Sequence, residues 1–155
     1  MPLSITIVAL GKKNAMLDEE TGRYAGLLRP YCSIRIVMAK PPAASDARRQ
    51  ERREREGKLL QSKWPAGSYP VALSEEGRLM NSLQFSQWLD GLRMRHYRPV
   101  FTIGGAYGLP PFLKRACKEV ISLSPLTLPH KLCMVVLVEQ LYRAFTILHH
   151  HPYSK

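Results

Sequence analysis

A chain of 155 residues has room for one hydrophobic core of ordinary size and little space for a second. Its 45% hydrophobic and 23% charged residues exclude a disordered tail or a fibrous repeat. A net charge of +11, from 23 Lys and Arg against 12 Asp and Glu, points to a polyanionic partner, RNA or DNA ahead of a membrane.

The first element is a buried strand, Leu3 to Leu10, β-branched and closed by Gly11-Lys12-Lys13. A helix is predicted from about Asn14 to Leu28, with Met16, Tyr24, Leu27 and Leu28 facing inward and Arg29-Pro30 ending it. Ser33 to Ala39 is a second strand, stopped at Pro41-Pro42. Ser45-Asp46 then cap a charged helix over 47–63, in which Arg48, Arg49, Arg52, Arg53 and Arg55 outnumber Glu51, Glu54 and Glu56. That helix is either a solvated rod with i,i+3 and i,i+4 ion pairs, or a surface facing phosphates with Lys58 and Lys63 adding charge. Both can hold.

Tyr69 to Leu73 reads as a short strand running into a loop, Ser74 to Gly77. A helix from Ser82 to about Arg95 follows, with Leu83, Phe85, Trp88, Leu89 and Leu92 inward. Pro99 to Ile103 is a strand that empties into Gly104-Gly105-Ala106-Tyr107-Gly108. A helix from about Pro110 to Cys117, a strand from Glu119 to Leu123, a loop to His130 and a final helix to about Leu148 complete the chain. Strands alternating with helices predict a single α/β domain over 1–155 with a mainly parallel sheet flanked by helices.

Cys32, Cys117 and Cys133 are odd in number and lie in or near apolar stretches, as reduced core residues do. The apolar start has no basic segment before it and no cleavage site after it, and no run approaches the roughly 18 apolar residues of a membrane span. A cytoplasmic protein is expected.

In an open parallel sheet, loops leaving the carboxyl ends of strands share one edge, and ligands bind there. Three qualify: Leu73 to Gly77, Gly104 to Gly108, and Leu123 to His130. None carries a dinucleotide or nucleoside-triphosphate fingerprint. In the third, Pro125 and Pro129 stiffen the chain, so that free backbone groups can stand ready for a ligand such as an adenine edge and ribose. Leu123, Leu126 and Leu128 would be its apolar walls. A rigid loop that only packs is the competing reading. The final helix is apolar nearly all round, with Glu139, Arg143 and Thr146 as one thin polar stripe, which predicts a sheet on one side and a second subunit on the other. Glu139 and Arg143, four apart, can form an intrahelical ion pair or position a substrate.

"FTIGGAYGL", followed by "SLSPLTLPHKLCMVVLVEQLYRAFTI" and by "HPY" near the carboxyl end, closely resembles the large-subunit ribosomal RNA pseudouridine N3-methyltransferases, small members of the SPOUT superfamily. The resemblance spans the whole chain. It implies a trefoil knot in about 100–155, against the usual rule on threaded connections, and a homodimer. It also implies S-adenosylmethionine as cofactor, held by Leu73, Gly104, Gly105 and the run Leu123, Ser124, Pro125, Leu126, Thr127, Leu128. The implied substrate is a pseudouridine in a stem-loop of the assembled ribosome. Ser154 stands where the family has histidine, and Met134 where it has arginine.

For that chemistry the imide proton on N3 must be lost. Arg143 or Lys155 could lower its pKa by proximity of charge, and His130 or His151 could accept it. Tyr153 could stack on the target base or a neighbour. His130 as a helix cap and Tyr153 as a dimer contact are the plainer roles. No metal is expected, because His149 to His151 are adjacent side chains that rarely converge on one ion. The two departures leave a rival, a ribosome- or RNA-binding factor that keeps the fold without turnover, and beside it a methyltransferase for another RNA nucleotide.

Overall fold

The computed structural model describes residues 2–12, 14–41 and 48–154. Five strands, β1 (Leu3–Leu10), β2 (Cys32–Ala39), β3 (Tyr69–Leu79), β4 (Pro99–Ile103) and β5 (Glu119–Ser122), form one sheet in the order β2-β1-β4-β3-β5. Every neighbouring pair is parallel, as the alternation of elements predicts. The helices are α1 (Ala15–Leu28), α2 (Arg49–Ser62), α3 (Ser82–Met94), α4 (Pro111–Ala116) and α5 (His130–Leu148), followed by a 3₁₀ turn at Pro152–Ser154.

The period of two along each strand divides the core into two layers. In β1, Leu3, Ile5, Ile7 and Ala9 join one cluster with Leu28 of α1, Phe85 and Leu89 of α3, and Leu137, Val138 and Leu141 of α5. Val8 and Leu10 point the other way, to Leu60 of α2 and Leu113 of α4. The sheet is thus covered on both faces, which is why its strands read as continuous apolar runs. Thr102 is the polar exception on the α2 side, and it accepts a hydrogen bond from the Trp64 indole at 2.9 Å. A buried hydroxyl with a partner costs little.

Helix α1 starts on Asn14, whose side chain accepts from the Leu17 N–H. Its inward line is Leu17, Thr21, Tyr24 and Leu28, spaced four, three and four apart. Met16 and Leu27, expected inward, sit off that line and are exposed. Leu83 is likewise outward on α3, 54% exposed, because the buried stripe runs Phe85, Ser86, Leu89, Leu92. The start of α3 is a capping box in which Asn81 and Gln84 each accept from the other's backbone N–H, at 2.8 and 2.9 Å. The expected cap at Ser45-Asp46 and the stop at Pro42 lie outside the described residues.

The expected loop from Ser74 to Gly77 is instead part of β3. The strand pairs with β5 on both sides of an irregularity, Leu73 opposite Ile121 and then Arg78 opposite the same Ile121. The intervening residues bulge out of the ladder. Gly77 returns them to it: a Cβ there would lie 2.6 Å from the carbonyl carbon of Ile121. Gly77→Ala should therefore destabilise the fold by about 1–3 kcal/mol, the usual range for overpacking, read as a lowered midpoint of thermal unfolding.

Candidate functional site

The carboxyl edge of the sheet opens into a cleft of about 730 Å³. Its walls come from the β3 bulge, from the turn after β4, and from the loop between β5 and α5, the three segments singled out in the sequence. Of the nine candidate binding residues, Leu73, Gly104, Gly105, Leu123, Ser124, Leu126, Thr127 and Leu128 line it, and Pro125 does not. Pro125 is exposed and stiffens the loop without forming a wall.

Each segment is held from its own side. After β4 the chain closes a tight turn in which the Gly108 N–H donates to the Gly105 carbonyl at 3.0 Å. Gly108 has φ +76°, the left-handed region that favours glycine. Gly104 is needed for a different reason, since a Cβ on it would stand 2.8 Å from the Gly108 carbonyl carbon. At the end of β5 and in the loop to α5 three hydroxyls are used, two of them locally. Ser122 donates to the Ser124 carbonyl at 2.8 Å, Ser124 Oγ accepts from the Leu126 N–H at 2.9 Å, and Thr127 donates to the Glu75 carboxylate at 2.6 Å. The last bond ties the loop to the β3 bulge across the cleft mouth. Residues 124–128 lie outside every helix and strand, and among the described residues they make no backbone-to-backbone hydrogen bond. Leu126 is 72% exposed. A loop whose backbone joins no helix or strand, with a bare apolar side chain and hydroxyls that hold it in place, is suited to a flat heteroaromatic ligand with polar edges.

His130 also lines the cleft, as the first residue of α5. The helix begins on Pro129 without any side-chain cap, so the capping role is not the one His130 plays. Its ring lies against β1: a Cβ on Gly11 would be 3.1 Å from His130 Nε2. Burial, and then the charge of Lys131, hold its pKa below the ordinary histidine value. The imidazole is therefore mostly neutral near pH 7 and able to accept a proton.

The other catalytic candidates gather elsewhere. Arg143 donates to Glu139 through Nε at 3.0 Å and Nη2 at 2.7 Å, the intrahelical pair that four-residue spacing allows. Tyr153 donates its hydroxyl to the same carboxylate at 3.0 Å, lies beneath the Arg143 guanidinium at 5.0 Å, and meets the Tyr142 ring edge-on at 4.6 Å. Burial, with hydrogen bonds to Tyr24 and Glu139, pushes the Tyr153 phenol well above its usual range, so it stays protonated. His151 is exposed and its Nδ1 accepts from the Tyr153 N–H at 3.1 Å. The hydroxyl of Ser154 donates to the His151 carbonyl at 3.3 Å. Met134 is part of the core and takes no part in either group. Lys155 lies outside the described residues. From His130 to Arg143 the helix rises ~20 Å at 1.5 Å per residue. The tail group and the cleft of one chain are thus far apart.

Three basic residues that sequence reasoning did not assign to the site also line the cleft: Arg49 and Arg53 from α2, and Lys114 from α4. The excess of arginine in α2 was the signal, and its direction was not readable from a helix polar all round. The three cysteines are free. Burial pushes Cys32 and Cys117 up to about 12 and Cys133 to about 11, so near neutral pH the thiols should react slowly with a disulfide reagent until the protein is unfolded.

Residues 3–154 match a family model described as "Predicted SPOUT methyltransferase". Among similar proteins, the "Ribosomal RNA large subunit methyltransferase H" of Leuconostoc mesenteroides is 35% identical, over 99% of this chain and 100% of the relative. The protein of the same name from Bordetella petrii is 36% identical over 99% of both chains. Of solved structures, a probable methylase family protein from Haemophilus influenzae superposes with a TM-score of 0.57 at 12% identity, covering 100% of this chain and 72% of that one.

Proposed function

This chain belongs to the SPOUT methyltransferase family, and on that premise we propose that it methylates large-subunit ribosomal RNA from S-adenosylmethionine. The acceptor in this reading is N3 of a pseudouridine in a stem-loop, presented in the assembled ribosome in the cytoplasm. The carrying observation is the cleft at the carboxyl edge, where a loop outside every helix and strand faces a glycine turn.

The residues fit the cofactor. The exposed Leu126 and a loop backbone that enters no helix or strand ladder over residues 124–128 suit an adenosyl group, and Gly104 and Gly105 let the β4 turn approach it closely. When bound, S-adenosylmethionine supplies an electrophilic methyl on a sulfonium. The protein's part is to orient the acceptor in line with it, to exclude water, and to ease loss of the imide proton. His130, neutral and at the cleft wall, can hold that proton on its free nitrogen. Arg143 stabilises the imide anion as it forms, by the attraction of opposite charge. Tyr153, kept protonated, offers a flat face for stacking and a hydroxyl that holds Glu139.

The ~20 Å between His130 and Arg143 sets a condition on this scheme. One chain cannot bring both to one base, so two chains must share each site, and a homodimer through α5 would do so. The partly exposed apolar residues of α5, Leu132, Val135, Val136, Ile147 and Leu148, are the face left for that contact. A knotted path of about residues 100–155 is part of the same reading.

The deciding experiment supplies labelled methyl on S-adenosylmethionine to ribosomes lacking the N3 methyl group, beside naked ribosomal RNA and already methylated ribosomes. Label on the unmethylated ribosomes alone is the expected result. Label on none of them, with cofactor bound, would refute the assignment for these acceptors.

A further inference from the structure

Among the described residues, two buried side-chain atoms have no hydrogen-bond partner, Arg53 Nε and Glu56 Oε1. Both belong to α2, three residues apart and so on the same face of the helix. They are of opposite charge, yet they do not satisfy each other. A buried polar atom without a partner is costly, and two on one helix face call for a reason.

Their position supplies it. Arg53 lines the cleft, with Arg49 one turn before it. Glu56 is only 9% exposed, and its Oε2 lies 2.9 Å from where a Cβ on Gly105 would stand. The carboxylate therefore abuts the glycine turn that forms one wall of the cleft. Burial raises its pKa, and the charge of Arg52 only partly offsets this. Gly57, the next residue, keeps α2 in place, because a Cβ there would overlap the Pro110 ring.

The ligand that answers both groups must carry an acceptor and a donor of opposite charge a short distance apart. An RNA phosphate satisfies Arg53 but is repelled by Glu56. An α-amino acid satisfies both: its carboxylate takes the planar fork of an arginine, and its ammonium takes a carboxylate. We propose that Arg53 and Glu56 hold the amino-acid end of S-adenosylmethionine, Arg53 donating to its carboxylate and Glu56 accepting from its ammonium. The inference rests on the cofactor reading above. It gives the charged helix a part in binding that is separate from RNA.

The test is calorimetric titration with two probes, S-adenosylhomocysteine and 5′-methylthioadenosine, which share the adenosine and thioether but differ in the amino-acid end. Wild-type protein should favour S-adenosylhomocysteine. Glu56→Gln and Arg53→Gln should each weaken S-adenosylhomocysteine by roughly 10-fold or more, the usual size of a lost charged hydrogen bond. Methylthioadenosine should stay within about twofold, so that the preference collapses. Equal weakening of both probes, or an unchanged preference, would overturn the proposal. If Glu56→Gln does not fold, Arg53→Gln decides on the same ratio, its residue being only half-buried. Wild-type protein that binds neither probe would instead refute the cofactor reading itself.

Discussion

Arg143→Gln is expected to cut methyl transfer to ribosomes by roughly 10²–10³-fold, the cost of losing one charge aimed at a developing anion. Affinity for S-adenosylmethionine in the absence of RNA should stay within about twofold. The separation follows from the helix: Arg143 lies ~20 Å along α5 from the cleft wall at His130 and cannot touch the cofactor held by its own chain. In the free protein its guanidinium is occupied by Glu139 at 2.7 Å and by the Tyr153 ring. Those contacts fix its direction, and the same pair holds its own pKa up, so it stays charged across the working range. A transfer assay beside a cofactor titration reads both quantities. Loss of cofactor binding in this variant would place Arg143 in the wrong group.

Gly104→Ala should do the reverse and weaken S-adenosylmethionine binding by roughly 10-fold or more, the scale of about 1–3 kcal/mol of overpacking. The added Cβ would stand 2.8 Å from the Gly108 carbonyl carbon and 3.0 Å from its oxygen, both backbone atoms that cannot turn aside. The turn closed by Gly105 and Gly108 must open, and the cleft wall moves with it. Calorimetry measures the effect directly, and a near-native affinity would show that this turn does not hold the cofactor. The two variants also test the shared site together. If the chain dimerises as proposed, co-expressed chains, one carrying Arg143→Gln and the other Gly104→Ala, would give mixed dimers in which one cleft and one tail are intact. If a site is built from two chains, the mixture regains transfer that neither variant has alone. A site built within one chain regains none.

Much of this was legible in the residues. The five strands fall close to where β-branched runs bounded by glycine and proline put them, and α5 matches its apolar pattern from His130 to Leu148. Two of the three cleft loops were legible too, because in a parallel sheet the carboxyl ends of all strands share an edge, whereas Ser74 to Gly77 proved to be a bulge within β3. The opening of the β5–α5 loop, with its hydroxyls and prolines, reads locally: a serine two residues from its partner needs no distant help.

What the residues left open lies where one element meets another. Met16, Leu27 and Leu83 look inward on their own helices and are exposed, because the neighbours packed against α1 and α3 choose which stripe is covered. Strand β3 runs on to Leu79 through a bulge whose polar sequence imitates a turn, and it is pairing with β5 that keeps it in the sheet. Arg53 and Glu56 were two charges among many on a helix polar all round, until the close approach of α2 to Pro110 and Gly105 buried them. His130 and Arg143 looked like members of one catalytic group. Periodicity and local spacing report what a segment does by itself, so the sequence determined four of the strands closely, the order of elements and the loops after β4 and β5. Which face is buried, which charge is left without a partner and which groups lie ~20 Å apart depend on residues distant along the chain, and those the tertiary structure decided.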